Sequence, residues 1–402
     1  MKETLEMLDA ISGIQMKELN ERGRSGLPVI AYSGTYIPEE IIRAAGAGTY
    51  LLCRGGESVH SNPVLKGQLR FMNPLARNLA GYPQSAPQAP SCSLLVLQQT
   101  DCHTARAGEF LVFEGQPVCL TGIPSDWKSP ASLAVYVESL RRMINRVEEI
   151  TGCKVDWDKA EENFEKSNRI NALFRKLDLF RKMDDPPFDF SDWIRLQHAS
   201  FMVDHDVMIQ KLESLCRKME DKAAGGTGGS RGPGMHGSGN GKKCRNTAGG
   251  RPRILLAGRA VAPGDYMVPR ALEESGAVIA AQMLDEGIRI YEKDVDTQGC
   301  LILNFAKNRY LDTVPANFML ASWERRFDHM MRLIEEYAID GVVWYQLSFD
   351  EIYDMEYADL AGRFAKKGIP FMKLENSYEE SPVSMGRLMT RAESIVERLR
   401  FP

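Results

Sequence analysis

Two hydroxyl side chains lie in a glycine-containing turn near the start of the chain, where they could hydrogen-bond to the oxygen atoms of a substrate. The apolar run 27–31 predicts a strand, and Gly34 permits a tight turn after it. Thr35 is the predicted N-cap of the following helix, whose first turn contains Pro38. Such a turn places Ser33, Thr35 and free backbone N–H groups at the carboxyl edge of a sheet, where α/β proteins usually bind ligands.

The cysteines and histidines give weaker signals. Eight cysteines are scattered without a C-x-x-C pair, so the sequence predicts no disulfide framework, and most of them are predicted to be buried small hydrophobic residues. His198 and His205 lie seven residues apart on one predicted helix, a spacing that could hold a metal ion, but no third ligand accompanies them. Both are therefore predicted to be ordinary core or surface histidines. His103 is predicted to line the same cleft as Cys102, its neighbour in sequence.

Composition and motifs argue against several classes of function. The formal net charge of -4 and the pI near 6.0 disfavour a nucleic-acid-binding surface. No apolar run approaches the roughly 20 residues that span a bilayer, and the N-terminus lacks a signal-peptide core, which predicts a cytoplasmic protein with no membrane partner. The chain has no G-x-S-x-G elbow, no P-loop, and no G-x-G-x-x-G after a predicted strand. The corresponding hydrolases, nucleoside triphosphatases and dinucleotide-binding domains are not indicated.

Short β-type runs alternate with helical stretches, which predicts an α/β fold with two doubly wound, Rossmann/flavodoxin-like parallel-sheet domains and helical additions. The predicted strands are 28–31, 49–53, 93–98 and 116–120 in the first domain, and 254–258, 277–282, 300–304, 341–346 and 370–374 in the second. Long amphipathic helices are predicted at 131–150, 156–180 and 190–222, and the first two are expected to be capped by Ser125 or Asp126 and by Asp156.

The same pattern predicts four segments. Residues 1–128 are an N-terminal α/β domain with a lead-in helix, and residues 129–222 are a helical subdomain. Residues 223–250 are a glycine-rich flexible linker or loop, and residues 251–402 are a C-terminal α/β domain. The two α/β units share a pattern of strand, glycine turn and helix, seen after Val29 and again after Ile254. We therefore expect two similar domains that face each other with a ligand between them.

Several short motifs, in a fixed order, carry a family resemblance. They are Tyr36–Gly46, Thr151–Gly152, Arg253–Gly258, Asp340–Val343, Gly368–Pro370 and Thr390–Arg391. Together they resemble the large subunits of 2-hydroxyacyl-CoA dehydratases and benzoyl-CoA reductases, of the 2-hydroxyglutaryl-CoA dehydratase component D type. The resemblance covers roughly residues 25 to 400, apart from the glycine-rich stretch.

The resemblance implies three cluster positions. In typical members three cysteines hold a [4Fe–4S] cluster and leave one iron open. The matching positions here are Asn73, Cys102 and Ser348, so two of the three thiolates are replaced. Because soft thiolates are the usual ligands of such clusters, Cys102 is the remaining candidate metal ligand and the chain is expected to lack a conventional cluster. Another hypothesis is a cluster held by unconventional ligands.

The resemblance also implies an activity. An ATP-dependent iron–sulfur activator protein would inject one electron, the CoA thioester would become a ketyl radical, and the β-proton and hydroxyl would leave. The family position of Ser33 and Glu57 predicts that they act next to the substrate hydroxyl and thioester, with Glu57 as general acid or base, while Gly34, Thr35 and Ser348 line the substrate.

This lyase chemistry, or its benzoyl-CoA reductase variant in anaerobic metabolism, would need a homologous second subunit. That subunit would carry the cluster of the heterodimer, and an acyl-CoA would be the substrate. The alternative is a cluster-free homologue that acts as a binding or assembly protein without redox chemistry.

Overall fold

The computed structural model describes residues 1–57, 71–86, 89–225, 250–285, 289–379 and 381–401. It contains two sheets of four parallel strands each, which confirms the predicted α/β class. The first sheet has the order β2-β1-β3-β4 and the second β6-β5-β7-β8. The strands are β1 Val29–Tyr32, β2 Gly48–Leu51, β3 Leu94–Gln99, β4 Val118–Gly122, β5 Arg253–Gly258, β6 Val278–Leu284, β7 Gly341–Leu347 and β8 Phe371–Asn376.

Helices surround both sheets. They are α1 Lys2–Arg24, α2 Glu39–Ala44, α3 Pro74–Ser85, α4 Cys102–Phe113, α5 Pro130–Thr151, α6 Trp157–Asp178, α7 Phe190–Met202, α8 His205–Gly225, α9 Met267–Glu274, α10 Leu301–Lys307, α11 Trp323–Glu336, α12 Glu351–Lys367 and α13 Pro382–Arg400. In the described residues, no helix has both the length and the apolar character needed to cross a membrane.

Both faces of each sheet are buried, which explains the nearly continuous apolar strands. In β1, Ile30 and Tyr32 belong to one core cluster, whereas Ala31 points to another. In β7, Val343 and Trp344 are divided in the same way between two clusters. Because successive side chains point to opposite faces, a strand covered by helices on both sides must be apolar at every position.

Two predicted elements are wrong. Residues 300–304, expected to form a strand, begin helix α10, in which Leu301, Ile302 and Phe305 are buried at helical spacing. A short apolar run fits either structure until its packing is known. The single helix predicted over 190–222 is two helices, because the chain turns at Asp204, whose Oδ1 accepts from the N–H of Asp206 (3.0 Å).

Of the predicted helix caps, one is confirmed and two are wrong. Asp156 Oδ1 accepts from the N–H of Lys159 (3.2 Å) at the start of α6. Thr35 does not cap α2, because Pro38 holds the N-cap position. Helix α5 begins at Pro130 with Ser129 at its N-cap, so neither Ser125 nor Asp126 caps it.

The lead-in helix is present as α1, and the predicted linker or loop at 223–250 lies outside the described residues over 226–249. The helices of segment 129–222 do not pack only on one another. Asn163 of α6 donates to Glu40 O (3.0 Å), and Trp193 of α7 donates to Gln282 Oε1 of β6 (3.0 Å). These bonds connect the helical segment to helix α2 of the first α/β unit and to strand β6 of the second.

Candidate functional site

The turn after β1 is held against β3 by one side chain. Gln98 Oε1 accepts from the N–H of Tyr36 (3.0 Å), and the N–H of Gln98 donates to Ser33 Oγ (2.9 Å). A Cβ atom at Gly34 would lie 2.5 Å from the end of the Gln98 side chain, so a larger residue there would displace Gln98 from its bond to Tyr36. Ser33 is therefore fixed at the carboxyl edge of the first sheet, and its own hydroxyl proton can still be donated.

Three loops from the two sheets meet around Arg259, the first residue after β5. Arg259 Nη2 lies 3.1 Å from Asp101 Oδ2, and its Nε lies 3.6 Å from Asp350 Oδ2. Asn73 Nδ2 donates to Asp350 Oδ1 (2.7 Å). Since Asn73 and Asp101 lie in the first α/β unit and Arg259 and Asp350 in the second, this network, here called the Arg259 network, joins the carboxyl edges of both sheets.

His103 extends the Arg259 network toward the surface. Its Nδ1 accepts from the N–H of Asn73 (3.3 Å), and its Nε2 lies 3.2 Å from Glu351 Oε2. The ring of Tyr353 lies 5.2 Å from the Arg259 guanidinium. Most of these groups are buried, so the two lobes are connected here through a polar centre with little water access.

The two carboxyl groups of the Arg259 network differ in proton affinity. Burial raises the pKa of Asp101, but Arg259 and the N–H of Thr104 outweigh that effect, so this pKa lies below its usual range. Burial raises the pKa of Asp350 to about 6, and the opposing attraction of Arg259 does not offset it. Asp101 is therefore the permanent counter-charge of Arg259.

Three cavities touch the Arg259 network. A small cavity of about 40 Å³ is lined by Cys102, His103, Arg259 and Asp350, and a second of about 20 Å³ by Ser33 and Arg259. Arg259 thus connects the turn of Ser33 with the loop of Cys102. A larger cavity of about 780 Å³ extends from Asp101 and Cys102 along β4 and α5, within the size range of small-molecule sites. His103 lines the same cleft as Cys102, as predicted.

The remaining predicted site residues lie elsewhere. Thr35 lines a different cavity, on the side of β6. Ser348 Oγ donates to Glu375 Oε1 (2.8 Å), and the third loop presents Asp350 to the Arg259 network instead. Glu57 is exposed, and its backbone carbonyl accepts from Asn78 Nδ2 (2.9 Å). The roles predicted for these residues stay predictions.

The groups at the three expected cluster positions do not fit an iron–sulfur cluster. Both ends of the Asn73 amide are engaged, since its Oδ1 accepts from the N–H of Ala76 (2.8 Å) while its Nδ2 binds Asp350. Cys102 supplies a thiol, but burial raises its pKa, and Asp101 and Glu351 raise it further. Within the described ranges, no group of three or more His, Cys, Asp or Glu side chains could hold a metal ion.

A second buried polar centre lies beyond the carboxyl edge of β7 and β8. Tyr345 donates its hydroxyl to Asp265 Oδ2, and Asn376 Nδ2 donates to Oδ1 (3.1 Å). Burial raises the pKa of Asp265 to about 7, although the hydrogen bonds from Tyr345 and Asn376 oppose this. Asp265 is thus a buried carboxyl group that titrates near neutral pH.

The predicted placement of two histidines on one helix is wrong. His198 lies on α7 and His205 begins α8, so they do not form a pair at helical spacing. Both ring nitrogens of His198 lie 2.8 Å from oxygen atoms, those of Tyr266 and Val261. Burial lowers the pKa of His198 to about 3, so this histidine is a neutral core residue.

Comparison with known proteins identifies the family. The family model described as 2-hydroxyglutaryl-CoA dehydratase, D-component, matches residues 34–399. The chain belongs to this family. A protein of Escherichia coli (strain K12) named "Putative dehydratase subunit YjiM" is 24% identical over 390 residues, which cover 96% of this chain and 94% of that protein. The D-component assignment confirms the resemblance of the sequence motifs, and the Arg259 network lies where the three loops of that resemblance meet.

Sequence reasoning missed Arg259, Asp101, Asp350 and Asp265. Each of the first three lies within three residues of the end of a strand, which is the signal that could have found them. The pairing of Arg259 with Asp101 was not predicted because these residues are 158 positions apart in the sequence.

Proposed function

We propose that this chain is a subunit of a 2-hydroxyacyl-CoA dehydratase-type enzyme that builds the thioester cleft without carrying a conventional cluster of its own. The observation that supports this most strongly is the Arg259 network. It brings the three loops of the expected cluster positions together, yet fills their meeting point with a guanidinium and two carboxyl groups. Family membership supports the dehydratase assignment, and a homologous subunit is the expected partner.

In this proposal the chain binds and orients the substrate. The cavity of about 780 Å³ beside Cys102 takes the acyl thioester. Ser33 lines the separate cavity of about 20 Å³ at Arg259, and its hydroxyl is proposed to donate to a substrate oxygen that reaches this cavity. The homologous subunit would hold the iron–sulfur cluster, which would supply the one-electron chemistry after reduction by the ATP-dependent activator protein. The hydroxyl and the β-proton leave the substrate together as water, and the electron is returned for the next turnover.

Co-expression with a homologous subunit encoded nearby tests the proposal. We expect the two chains to purify together and to dehydrate a 2-hydroxyacyl-CoA when activator protein and ATP are added. Each chain alone should be inactive. A pair that forms but never turns over any acyl-CoA would contradict the proposal.

Glu57 is the proposed general acid or base of this chain. Because Glu57→Gln keeps the side-chain shape and removes the proton-transfer group, turnover by the assembled pair should fall by about 10²–10⁴-fold while pair formation is unchanged. Glu6→Gln, which changes an exposed glutamate of α1, is the matched control. Wild-type turnover by the Glu57 variant would remove this residue from the mechanism.

The second candidate is a cluster-free binding or assembly protein. The buried ion pair of Arg259 with Asp101 favours it, because such a pair can join two lobes without any redox centre. The test compares the turnover rate of the homologous subunit with and without this chain. This second function predicts that the two chains bind each other and that the rate is the same in both cases.

A further inference from the structure

A cavity distinct from the thioester cleft lies between the turn after β1 and the end of β6. It has a volume of about 380 Å³, and five described segments line it: Thr35 and Tyr36, the end of β6, residues 289–293, the segment around Val314, and α11. Neither Cys102 nor Arg259 lines it. Its size is within the range of small-molecule sites.

In the described lining of this cavity, cationic side chains outnumber anionic ones by five to three. Its charged side chains in the described residues are Arg289, Lys293, Arg325, Arg326, Arg332, Asp285, Glu292 and Asp312. Two of the cations are neutralised. Arg326 pairs with Asp285 (2.7 Å), and Lys293 Nζ lies 3.4 Å from Asp312 Oδ2.

The other three arginines have neutral hydrogen-bond partners. Arg289 Nε donates to Ser200 Oγ (2.8 Å), and Glu39 and Glu40 act on it electrostatically. Arg325 donates to the carbonyl of Leu311 (3.5 Å) and is exposed. An anion entering the cavity would therefore meet guanidinium groups that no carboxylate engages directly among the described residues.

Arg332 and His329 add a neutral acceptor to this lining. Arg332 Nη2 lies 3.2 Å from His329 Nδ1, which must be unprotonated to accept this bond. Burial, together with the charges of Arg332, Arg326 and Arg325, lowers the pKa of His329 to about 4, although Glu336 opposes this. Burial is the larger cause, and the arginines act on His329 in the same direction, as a cationic lining would.

A buried hydroxyl in the same lining also lacks a partner. Thr35 is 8% exposed, and its Oγ1 makes no hydrogen bond to any described residue. Because buried hydroxyl groups are normally hydrogen-bonded, this one is a candidate donor to a ligand oxygen. The sequence predicted that Thr35 binds substrate. Because Thr35 lines this cavity, a ligand bound there could accept a hydrogen bond from its hydroxyl.

We infer that this cavity binds the phosphate groups of a diphosphate-bearing ligand, with Arg325 and Arg332 as the main contacts and Thr35 as a hydroxyl donor. One guanidinium group can donate two parallel hydrogen bonds to two phosphate oxygens. A diphosphate has enough oxygens to bind two arginines in this way. In the proposed dehydratase the ligand is the diphosphate of CoA, and this last assignment rests on the proposed function.

Calorimetric titration with three probes tests the site: inorganic pyrophosphate, ADP and free CoA. We expect wild-type protein to bind all three and Arg325→Ala/Arg332→Ala to bind each at least tenfold more weakly. Arg146→Ala, which removes an exposed arginine of α5 away from the cavity, should bind like the wild type. Absence of binding by the wild type, or equal binding by the double variant, would overturn the inference.

The probes separate this inference from the proposed function. If pyrophosphate and ADP bind with the expected loss in the double variant but free CoA does not, the phosphate site stands and CoA is not its ligand. If the site behaves as expected while the two-subunit complex fails to turn over any acyl-CoA, the proposed function fails and the site remains. If the complex is active but the double variant binds CoA normally, the site fails alone.

Discussion

Arg259 forms ion pairs with two buried carboxyl groups. Asp101 and Asp350 lie on loops of different sheets, and both are directed at its guanidinium. Replacing Arg259 with Met removes the charge and leaves a buried ionised Asp101. We expect the free energy of unfolding at neutral pH to fall by about 3–5 kcal/mol, as measured by urea denaturation.

A matched control variant shows whether the loss of stability is specific to Arg259 or follows from replacing any arginine with methionine. Arg270 is exposed, and its guanidinium contacts only the face of Tyr266 among the described side chains, at 5.8 Å. Arg270→Met should change stability by no more than about 0.5 kcal/mol. Equal stability of the Arg259 and Arg270 variants would show that the Arg259 network does not hold the lobes together.

Asp265 predicts a pH dependence with a definite sign. Its pKa is raised to about 7 in the folded protein, so folding favours the protonated form. Its contribution to stability is present below the ordinary carboxyl pKa and is lost as the pH rises toward 7. In Asp265→Asn, the fall in unfolding free energy across this range should be smaller by roughly 1–4 kcal/mol than in the wild type.

Urea denaturation at several pH values measures this difference. The other titrating groups are shared by both proteins, so their effects cancel when the two curves are subtracted. Parallel curves for the wild type and the Asp265 variant would contradict the assignment of a raised pKa to this carboxyl group.

At the scale of elements, the turn after β1 depends on the close approach of Gly34 to Gln98. An added methyl group would overlap the Gln98 side chain, which also holds the N–H of Tyr36. Gly34→Ala should therefore destabilise the protein by about 1–3 kcal/mol. Thermal and urea unfolding measure the change.

The chain offers a control for this substitution within a helix. Gly13 lies on α1, and a Cβ atom there would meet nothing within 4 Å. Gly13→Ala should stabilise the protein by about 0.5–1 kcal/mol, because alanine favours the helix. If Gly34→Ala were also stabilising, the clamp by Gln98 would not constrain the turn.

The local sequence pattern predicted the secondary structure correctly where the pattern is compatible with only one kind of element. Strands at 254–258 and 341–346 were placed within one residue of β5 and β7, because long apolar runs bounded by glycine have few alternatives. Residues 300–304 were assigned the wrong structure because their burial depends on α5, which is distant in sequence. The turn at Asp204 was missed although its side chain is a typical helix cap.

At the scale of the whole molecule, the sequence predicted two facing α/β units whose loops enclose a site, and the loops of Ser33 and Cys102 do meet at Arg259. It did not predict the chemistry of their meeting point. That chemistry depends on which side chains face each other across the two sheets. Ser348 was expected at the site, but Asp350, two residues later, reaches it.

We propose that the Arg259 network takes the place of an iron–sulfur cluster in this chain. Anaerobic iron and sulfide analysis, together with absorbance near 400 nm, tests it on the chain purified alone and in its two-subunit complex. We predict no stoichiometric iron in the isolated chain and no effect of Cys102→Ala on the iron content of the complex. Roughly four irons per isolated chain, lost in Cys102→Ala, would contradict the claim.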